Sequence, residues 1–148
     1  MKFEELKLNP ELLKAVKGMG YDEPMPIQEK CIPLIHEGKD VVGQSSTGSG
    51  KTAAFGLPIL EKIQPGKGLQ ALILTPTREL CVQVTDALSE FGRHMRIKVT
   101  SVYGGVGIEP QIKNIRTADI VVGTPGRILD HLERKTISFS SVRFLVLD

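Results

Sequence analysis

The chain has 148 residues, of which 41% are hydrophobic and 24% are charged, so its size and composition are those of one globular domain and exclude a disordered chain. Nineteen basic and seventeen acidic side chains give a formal net charge of +2 at pH 7, which excludes a uniformly polybasic surface. All seven Arg lie within residues 75–148, so any phosphate binding by guanidinium groups is expected to be local.

The first half of the chain predicts a capped helix, further helices around Pro33 and Pro58, and two strands. Asn9 supplies an N-cap, Pro10 a first-turn proline and Gly18 a stop for a helix with regular apolar spacing. A strand is predicted over Asp40–Gly43, followed by a Gly/Ser-rich loop, and a second strand over Ala71–Leu74.

The second half continues the alternation. Thr77 is predicted to cap a helix that ends before Gly92, and Thr124 with Pro125 to cap another. Further strands are predicted over Ile97–Tyr103, Asp119–Val122 and Arg143–Leu147. Most of these apolar runs show little polar alternation, which is typical of parallel strands covered on both faces. The predicted class is therefore α/β, with a parallel sheet flanked by helices.

Cysteine and histidine placement points to no metal or redox site. Cys31 and Cys81 lie outside any zinc-ligand spacing, so neither a disulfide framework nor a zinc site is expected, and their apolar spacing predicts burial. His36, His94 and His131 are scattered, which favours surface or helix-end positions. No apolar run approaches the roughly 18 residues that span a bilayer, and the first residues lack a signal-peptide core. We expect a cytoplasmic protein without a membrane partner.

A polar or glycine-rich cluster follows each predicted strand at its carboxyl end. The clusters are Gln44–Thr52, Thr75–Glu79, Gly104–Gly105, Thr124–Arg127 and Asp148. In an open parallel sheet the carboxyl ends of the strands share one edge, and such folds bind ligands there. We therefore expect the functional residues to lie along that edge.

The phosphate loop (Ser45–Thr52) is the most specific local motif. It nearly satisfies GxxxxGK[ST], with Ser45 in place of the first glycine. In this motif backbone N–H groups surround phosphates, the lysine reaches the outer phosphates and the hydroxyl binds Mg²⁺. The predicted nucleotide-binding residues here are Ser46, Thr47, Gly48, Ser49, Gly50, Lys51 and Thr52. The alternative is a plain Gly/Ser-rich helix cap, which rarely matches this pattern by chance.

A weaker signal lies nearer the N-terminus. The Gln28 amide could read adenine N6 and N7 together, and Phe3 could stack on the base. Taken alone, these residues favour the alternative, in which Gln28 belongs to a helix start and Phe3 packs in the core.

Taken in order, these segments resemble the DEAD-box RNA helicases over the whole chain. Phe3 stands 25 positions before Gln28, the spacing of that family's upstream aromatic residue and Q motif. The phosphate loop matches motif I, and Val146–Asp148 looks like the start of the DEAD motif. The remaining matches are Pro76–Leu80 with motif Ia, Gly104–Gly105 with the GG motif and Thr124–Arg127 with motif Ib.

The resemblance implies a RecA-like P-loop ATPase domain that uses ATP and Mg²⁺ and binds RNA. It assigns adenine binding to Phe3 and Gln28, catalytic roles to Lys51, Thr52 and Asp148, and metal contacts to Thr52 and Asp148. The residues implied to line the RNA backbone are Pro76, Thr77, Arg78, Gly104, Gly105, Thr124, Pro125, Gly126 and Arg127. Met25 departs from the family pattern, which usually has Ser or Thr there, and Ser45 replaces the usual Ala.

Residue pattern alone also supports the RNA contacts at two helix starts. Helix N-termini attract anions, so Arg78 and Arg127 at two predicted helix starts suit phosphate binding. The alternatives are solvated charges for these arginines, plain helix caps for Thr77 and Thr124, and an ordinary turn at Gly104–Gly105.

The expected organisation is an incomplete N-terminal RecA-like domain, with a Q-motif segment over residues 1–36 and a core over residues 37–148. The sequence stops after the strand that carries Asp148, where the resemblance implies a catalytic Glu and then a second RecA-like domain with arginine fingers. We expect an ATP-dependent RNA helicase in the intact protein, and weak binding of adenine nucleotide and RNA without turnover from these residues alone. Alternatives are an RNA-binding platform clamped by nucleotide, or another P-loop ATPase such as a DNA helicase.

Overall fold

A computed structural model describes residues 1–46 and 50–148, which divide into two compact units. Unit 1 comprises Met1–Lys62 and Glu90–Arg96, and unit 2 comprises Ile63–Ser89 and Ile97–Asp148.

Unit 1 is helical. A 3₁₀ turn over Phe3–Leu6 precedes α1 (Pro10–Gly18), α2 (Pro26–His36) and α3 (Lys51–Lys62). As predicted, Asn9 caps α1, because its side chain accepts a hydrogen bond from the Leu12 N–H at 2.9 Å. The Asn9 N–H in turn donates to the Glu61 carboxylate at 2.9 Å, which ties the start of α1 to the end of α3.

The core of unit 1 consists of apolar side chains from these helices. Residues of α1 at helical spacing point to one face, and α2 and α3 pack against each other. The largest fully buried side chains of the unit are Leu12, Val16, Ile32, Leu57 and Leu60. Each such burial is worth roughly 1.5–3 kcal/mol relative to exposure, so this set fixes how the three helices pack.

Unit 2 contains a parallel sheet, which in the described part of the chain has four strands in the order β2-β3-β1-β4. The strands are β1 (Ala71–Leu74), β2 (Val99–Val102), β3 (Ile120–Gly123) and β4 (Phe144–Leu147). Ala71 of β1 aligns with Ile120 on one side and Phe144 on the other. The predicted parallel α/β class is confirmed.

A helix follows each of the first three strands and returns the chain to the amino edge of the sheet, as parallel strands require. These helices are α4 (Arg78–Phe91), α5 (Glu109–Ile115) and α6 (Pro125–Glu133). Val102 and Val121 pack with Ile115 of α5 and Ile128 of α6 in one core cluster. On α4, Cys81 is fully buried, as predicted, with its Sγ 3.1 Å from the Val122 carbonyl oxygen.

The strand predicted over Asp40–Gly43 does not form. No described strand pairs with this segment, and the side chain of Val42 is fully exposed. A strand is stable only when neighbouring strands bond its backbone, and two adjacent valines cannot provide that. Gly43 instead lies against α2, since an added Cβ would be 3.5 Å from Cys31 Sγ.

Two other predictions differ in detail. β2 covers Val99–Val102 rather than Ile97–Tyr103, because the Lys98 N–H bonds the Asp119 carboxylate at 2.9 Å before the ladder begins. The short helix α5 was not predicted. Thr124 occupies the N-cap position of α6, but its side chain makes no capping hydrogen bond, so the capping prediction is correct for position and wrong for the bond.

Candidate nucleotide-binding and RNA-binding residues

Gln28 connects the start of α2 to the residue that precedes α3. It is 2% exposed. Its Oε1 accepts a hydrogen bond from the Met25 N–H at 2.9 Å, and its Nε2 donates to the Gly50 carbonyl at 3.2 Å. The first bond is the Gln half of a capping box, and the second joins α2 to the end of the phosphate loop. Each end of the amide therefore makes one bond within unit 1 and keeps one further N–H or lone pair for another partner.

Gly50 brings the phosphate loop close to that amide. Its φ of +87° lies in the left-handed region, which favours glycine. An added Cβ would collide with Gln28 Nε2 and lie 3.2 Å from Met25 Cγ. Both the backbone angle and the close approach therefore require glycine here.

Lys51 and Thr52 form the first turn of α3 and are partly exposed. N–H groups in a first turn have no partner within the helix, and the helix dipole adds partial positive charge. Ser46 is exposed, whereas the predicted phosphate contacts at Thr47, Gly48 and Ser49 lie outside the described residues. The described part of the loop thus offers N–H groups and one cationic side chain, which suits phosphate.

Phe3 lies in the core of unit 1. Its ring is 2% exposed and stacks on Tyr21, with centroids 6.4 Å apart. Tyr21 in turn meets Phe91 edge-on at 6.1 Å. The open groove beside Phe3 is lined by Leu13 and other residues that do not include Gln28. This arrangement corresponds to the core-packing alternative. Stacking of adenine on Phe3 stays a prediction, and it would require one face of the Phe3 ring to become accessible to the base.

The clusters of unit 2 lie together, as predicted. Thr75, Tyr103, Thr124 and Asp148 directly follow β1, β2, β3 and β4. Because the strands are parallel and adjacent, these residues lie along one edge, called here the carboxyl edge. Exposed residues on or beside this edge include most of the predicted RNA-contacting set, namely Pro76, Thr77, Arg78, Gly104, Gly105, Pro125 and Gly126.

Thr77 has the structural role that sequence predicts. Its Oγ1 accepts a hydrogen bond from the Leu80 N–H at 3.2 Å, which caps α4. The neighbouring Arg78 is exposed, and its guanidinium carbon lies 4.7 Å from the centroid of the Tyr103 ring. A cation–π contact of this kind holds the charge at the carboxyl edge while leaving it accessible.

Arg127 differs from Arg78 because its side chain is only 13% exposed. Its Nη2 donates to the Val106 carbonyl at 3.0 Å, and its Nη1 donates to Gln111 Oε1 at 3.2 Å. Its Nε lies 3.9 Å from the Asp130 carboxylate. Arg127 therefore holds the loop that follows β2, and only a small part of its guanidinium faces solvent.

Sequence reasoning missed two buried polar residues beside Arg127. Gln111 of α5 is 7% exposed and His131 of α6 is 0% exposed. His131 Nε2 lies 3.0 Å from Gln111 Oε1, and its Nδ1 lies 2.7 Å from Thr136 Oγ1. Burial, with Arg127 nearby, lowers the pKa of His131. The predicted helix-end position is correct, since His131 lies in the last turn of α6, whereas the surface position is wrong.

Asp148 is exposed just beyond β4, and its N–H donates to the Leu74 carbonyl at 2.9 Å. The described residues contain no group of three or more His, Cys, Asp or Glu side chains placed to hold a metal ion. Mg²⁺ needs fewer protein ligands, because it keeps several waters and often binds one or two carboxylates plus substrate phosphates. Thr52 and Asp148 each carry an oxygen of the kind that Mg²⁺ binds, and their role in metal binding stays a prediction.

No helix in the described part of the chain combines the length and the apolar character needed to cross a bilayer.

A parallel sheet with helical crossovers and candidate ligand-binding residues at its carboxyl edge defines the class as an open α/β domain that binds ligands at that edge. The DEAD/DEAH box helicase family matches residues 25–148. The chain belongs to this family.

Individual relatives agree with this family assignment. The chain is 54% identical over 150 residues to the DEAD-box ATP-dependent RNA helicase CshA of Streptococcus pneumoniae, covering 100% of this chain and 29% of that protein. The crystal structure of a DEAD box protein from Methanococcus jannaschii superposes with a TM-score of 0.97 at 45% identity, covering 100% of this chain and 41% of that one. A hypothetical ATP-dependent RNA helicase from Sulfolobus tokodaii gives a TM-score of 0.88 at 44% identity, covering 95% and 41%. The chain thus spans less than half the length of each of these relatives.

Proposed function

We propose that this chain is the N-terminal RecA-like part of an ATP-dependent RNA helicase, a protein that couples RNA-stimulated ATP hydrolysis to the remodelling of short RNA duplexes. The observation that carries the proposal is the carboxyl edge of unit 2, where the segments that match motifs Ia, GG and Ib end adjacent parallel strands. A generic P-loop domain needs no such set of exposed helix starts and glycines beside an arginine. A cytoplasmic location stays an expectation.

The proposed nucleotide is ATP. Gln28 reads the adenine edge, and Lys51 with the N–H groups of the α3 first turn binds phosphate. Mg²⁺, when bound by Thr52 and by Asp148 through water, would neutralise charge on the phosphates. The bond between Gln28 and Gly50 supports this assignment because it joins the residue that reads the base to the loop that binds the phosphates.

The proposed RNA contacts are to the sugar-phosphate backbone. Arg78 supplies an accessible charge, and the exposed start of α6 at Pro125 and Gly126 supplies a helix N-terminus. Backbone contacts carry little sequence information, so binding is expected to be sequence-tolerant and salt-sensitive.

Turnover is proposed to need groups outside these 148 residues. Hydrolysis requires a base that orients water, and arginine fingers in this class of reaction are worth about 10³ to 10⁵ in rate. The family resemblance places the base directly after Asp148 and the arginines in a second RecA-like domain. A polypeptide of these 148 residues is therefore expected to bind ATP and RNA weakly without measurable hydrolysis.

The test uses a polypeptide extended as far as the relatives extend. ATP hydrolysis is measured alone, with single-stranded RNA and with single-stranded DNA of the same sequence, and a Lys51→Ala variant is the control. Stimulation by RNA alone, abolished in Lys51→Ala, is the expected result. Equal stimulation by DNA would favour a DNA helicase. Nucleotide-dependent RNA binding without hydrolysis would favour a binding platform.

A further inference from the structure

The buried amide of Gln111 bonds three residues in two segments of unit 2, the loop after β2 and the helix α6. Its Nε2 donates to the Tyr103 carbonyl at 2.8 Å. Its Oε1 lies 3.0 Å from His131 Nε2 and accepts from Arg127 Nη1 at 3.2 Å. Gln111 is 7% exposed, so each of these bonds is largely shielded from water.

The chemistry of these partners allows only one orientation of the amide. A carbonyl oxygen only accepts hydrogen bonds, so Oε1 must face the donors Arg127 and His131, and Nε2 must face the Tyr103 carbonyl. The reverse orientation would place NH₂ against a guanidinium and oxygen against oxygen. His131 must then carry a proton on Nε2. Its Nδ1 lies 2.7 Å from Thr136 Oγ1, whose single hydroxyl hydrogen also has the His131 carbonyl oxygen within reach at 3.1 Å.

Through these bonds Gln111 holds both arginines of the carboxyl edge. Arg127 bonds Gln111 directly and the Val106 carbonyl with its other terminal nitrogen. Arg78 is held less directly, because it lies over the ring of Tyr103, whose carbonyl Gln111 anchors. Losing the amide would remove one bond of Arg127 and the anchor of the Tyr103 carbonyl, so both arginines would be held less tightly.

We propose that Gln111, oriented by His131, is a positioning residue that fixes the loop over residues 103–108 and the two arginines in the arrangement that binds RNA phosphates. The proposal rests on the proposed RNA-binding function. Gln111 itself touches no RNA.

The test compares two buried glutamines of unit 2. Gln70 is 4% exposed, and its amide bonds only backbone groups of Gln64 and Gly68, at the amino end of β1. Gln111→Met and Gln70→Met therefore make the same chemical change, and both remove buried hydrogen bonds. Only Gln111→Met disconnects the arginines.

Two measurements separate positioning from general damage. The first is the affinity for a labelled single-stranded RNA, titrated by fluorescence anisotropy. The KCl concentration is varied from about 50 to about 250 mM, over which the Debye length falls to roughly half. The second is backbone hydrogen exchange over residues 103–108, which needs no RNA. Urea denaturation checks that both variants are folded. If Gln111→Met does not fold, Gln111→Glu takes its place, with Gln70→Glu as control. Glu keeps the acceptor for Arg127 and places a carboxylate oxygen against the Tyr103 carbonyl, so it tests the bond to Tyr103 alone.

Gln111→Met should bind RNA about fivefold more weakly at 0.1 M KCl, with the log–log salt slope smaller by about 0.7, the value of one phosphate contact on a single strand. Exchange over residues 103–108 should rise in this variant, and Gln70→Met should change neither readout. Equal weakening in both variants, or unaltered RNA binding in Gln111→Met, would overturn the proposal.

RNA binding by the unchanged protein separates this proposal from the proposed RNA-binding function on which it rests. If the unchanged protein bound no RNA, the proposed function would fail, together with the role of these arginines on RNA. Faster exchange in Gln111→Met alone would then still support positioning of the loop, and unaltered exchange would refute it.

Discussion

Replacing Gln28 by Ala should remove adenine selectivity and also destabilise unit 1. The substitution deletes the acceptor of the Met25 N–H and the donor to the Gly50 carbonyl. Each hydrogen bond is worth about 0.5–1.5 kcal/mol net, so we expect the free energy of unfolding to fall by roughly 1–3 kcal/mol. Urea denaturation measures this change and shows whether the variant is folded under the binding conditions.

The effect on the nucleotide should exceed any effect of that destabilisation. A bidentate contact of an amide with adenine discriminates against a wrong base by about 1–3 kcal/mol, which corresponds to roughly 5- to 150-fold in affinity at 1.4 kcal/mol per tenfold. The unchanged protein should prefer ATP over GTP by a factor in this range. Gln28→Ala should bind both with similar affinity.

Gln28→Glu sharpens the test. Glu keeps an oxygen that accepts from the Met25 N–H, so the capping contact of α2 survives. It replaces the donor that faces the Gly50 carbonyl with an oxygen, so the link to the phosphate loop is lost. If adenine selectivity depends on the donor, Gln28→Glu should lose selectivity as Gln28→Ala does, and its buried carboxylate beside the Gly50 carbonyl should also cost stability.

The assay is calorimetric titration of ATP, ADP and GTP at constant Mg²⁺ concentration. The adenine assignment is refuted if the unchanged protein binds GTP as tightly as ATP, or if the ratio of the two affinities is unaltered in Gln28→Ala. A loss of ATP and GTP affinity by the same factor would show that Gln28 acts only through the structure of the phosphate loop.

Four further predictions follow from single contacts. Lys51→Ala should weaken ATP, ADP and GTP alike in the same titration, because the ammonium binds phosphate and not base. Arg78→Ala should lower the log–log salt slope of RNA binding by about 0.7, and an unaltered slope would remove it from the interface. Gly123→Ala should cost about 1–3 kcal/mol in urea denaturation, since the new Cβ would lie 2.5 Å from Ile128 Cδ1, and the cost should shrink in an Ile128→Ala background. The pKa of His131 is lowered from 6.5, so as the pH falls the unfolded chain binds a proton before the folded chain does. The free energy of unfolding should therefore be constant above pH 6.5 and decrease below it, by up to about 1.4 kcal/mol per pH unit. His131→Gln should flatten that fall.

The predicted strands that formed are those whose backbones pair with another strand of the sheet. Ala71–Leu74 is apolar throughout and pairs on both sides, so a short local run was sufficient evidence. Asp40–Gly43 looked similar over four residues but found no pairing strand among the described residues. Pairing depends on distant segments, and apolar content alone cannot report it.

The network around Gln111 shows a second limit of sequence reasoning. Gln111, Arg127 and His131 come from two helices. Gln111 and His131 are 20 positions apart, and all of β3 lies between them. A single glutamine in a seven-residue helix has no periodicity that marks it as buried. Only the crossover of α5 and α6 beside the sheet brings these side chains together, so no local signal could have identified them.

Burial also separates two physical roles that motif matching treats alike. Arg78 and Arg127 both stand at the start of a helix and both match RNA-binding motifs, yet one is exposed and the other is 13% exposed. An exposed guanidinium can exchange water for phosphate at little cost, whereas a covered one would first have to leave the Gln111 and Val106 acceptors. A residue bonded in this way affects RNA binding mainly through the shape of the loop it holds. Arg127→Ala should therefore raise hydrogen exchange over residues 103–108, and Arg78→Ala should not, although both should weaken RNA binding. Equal exchange in the two variants would refute the role of Arg127 in holding this loop.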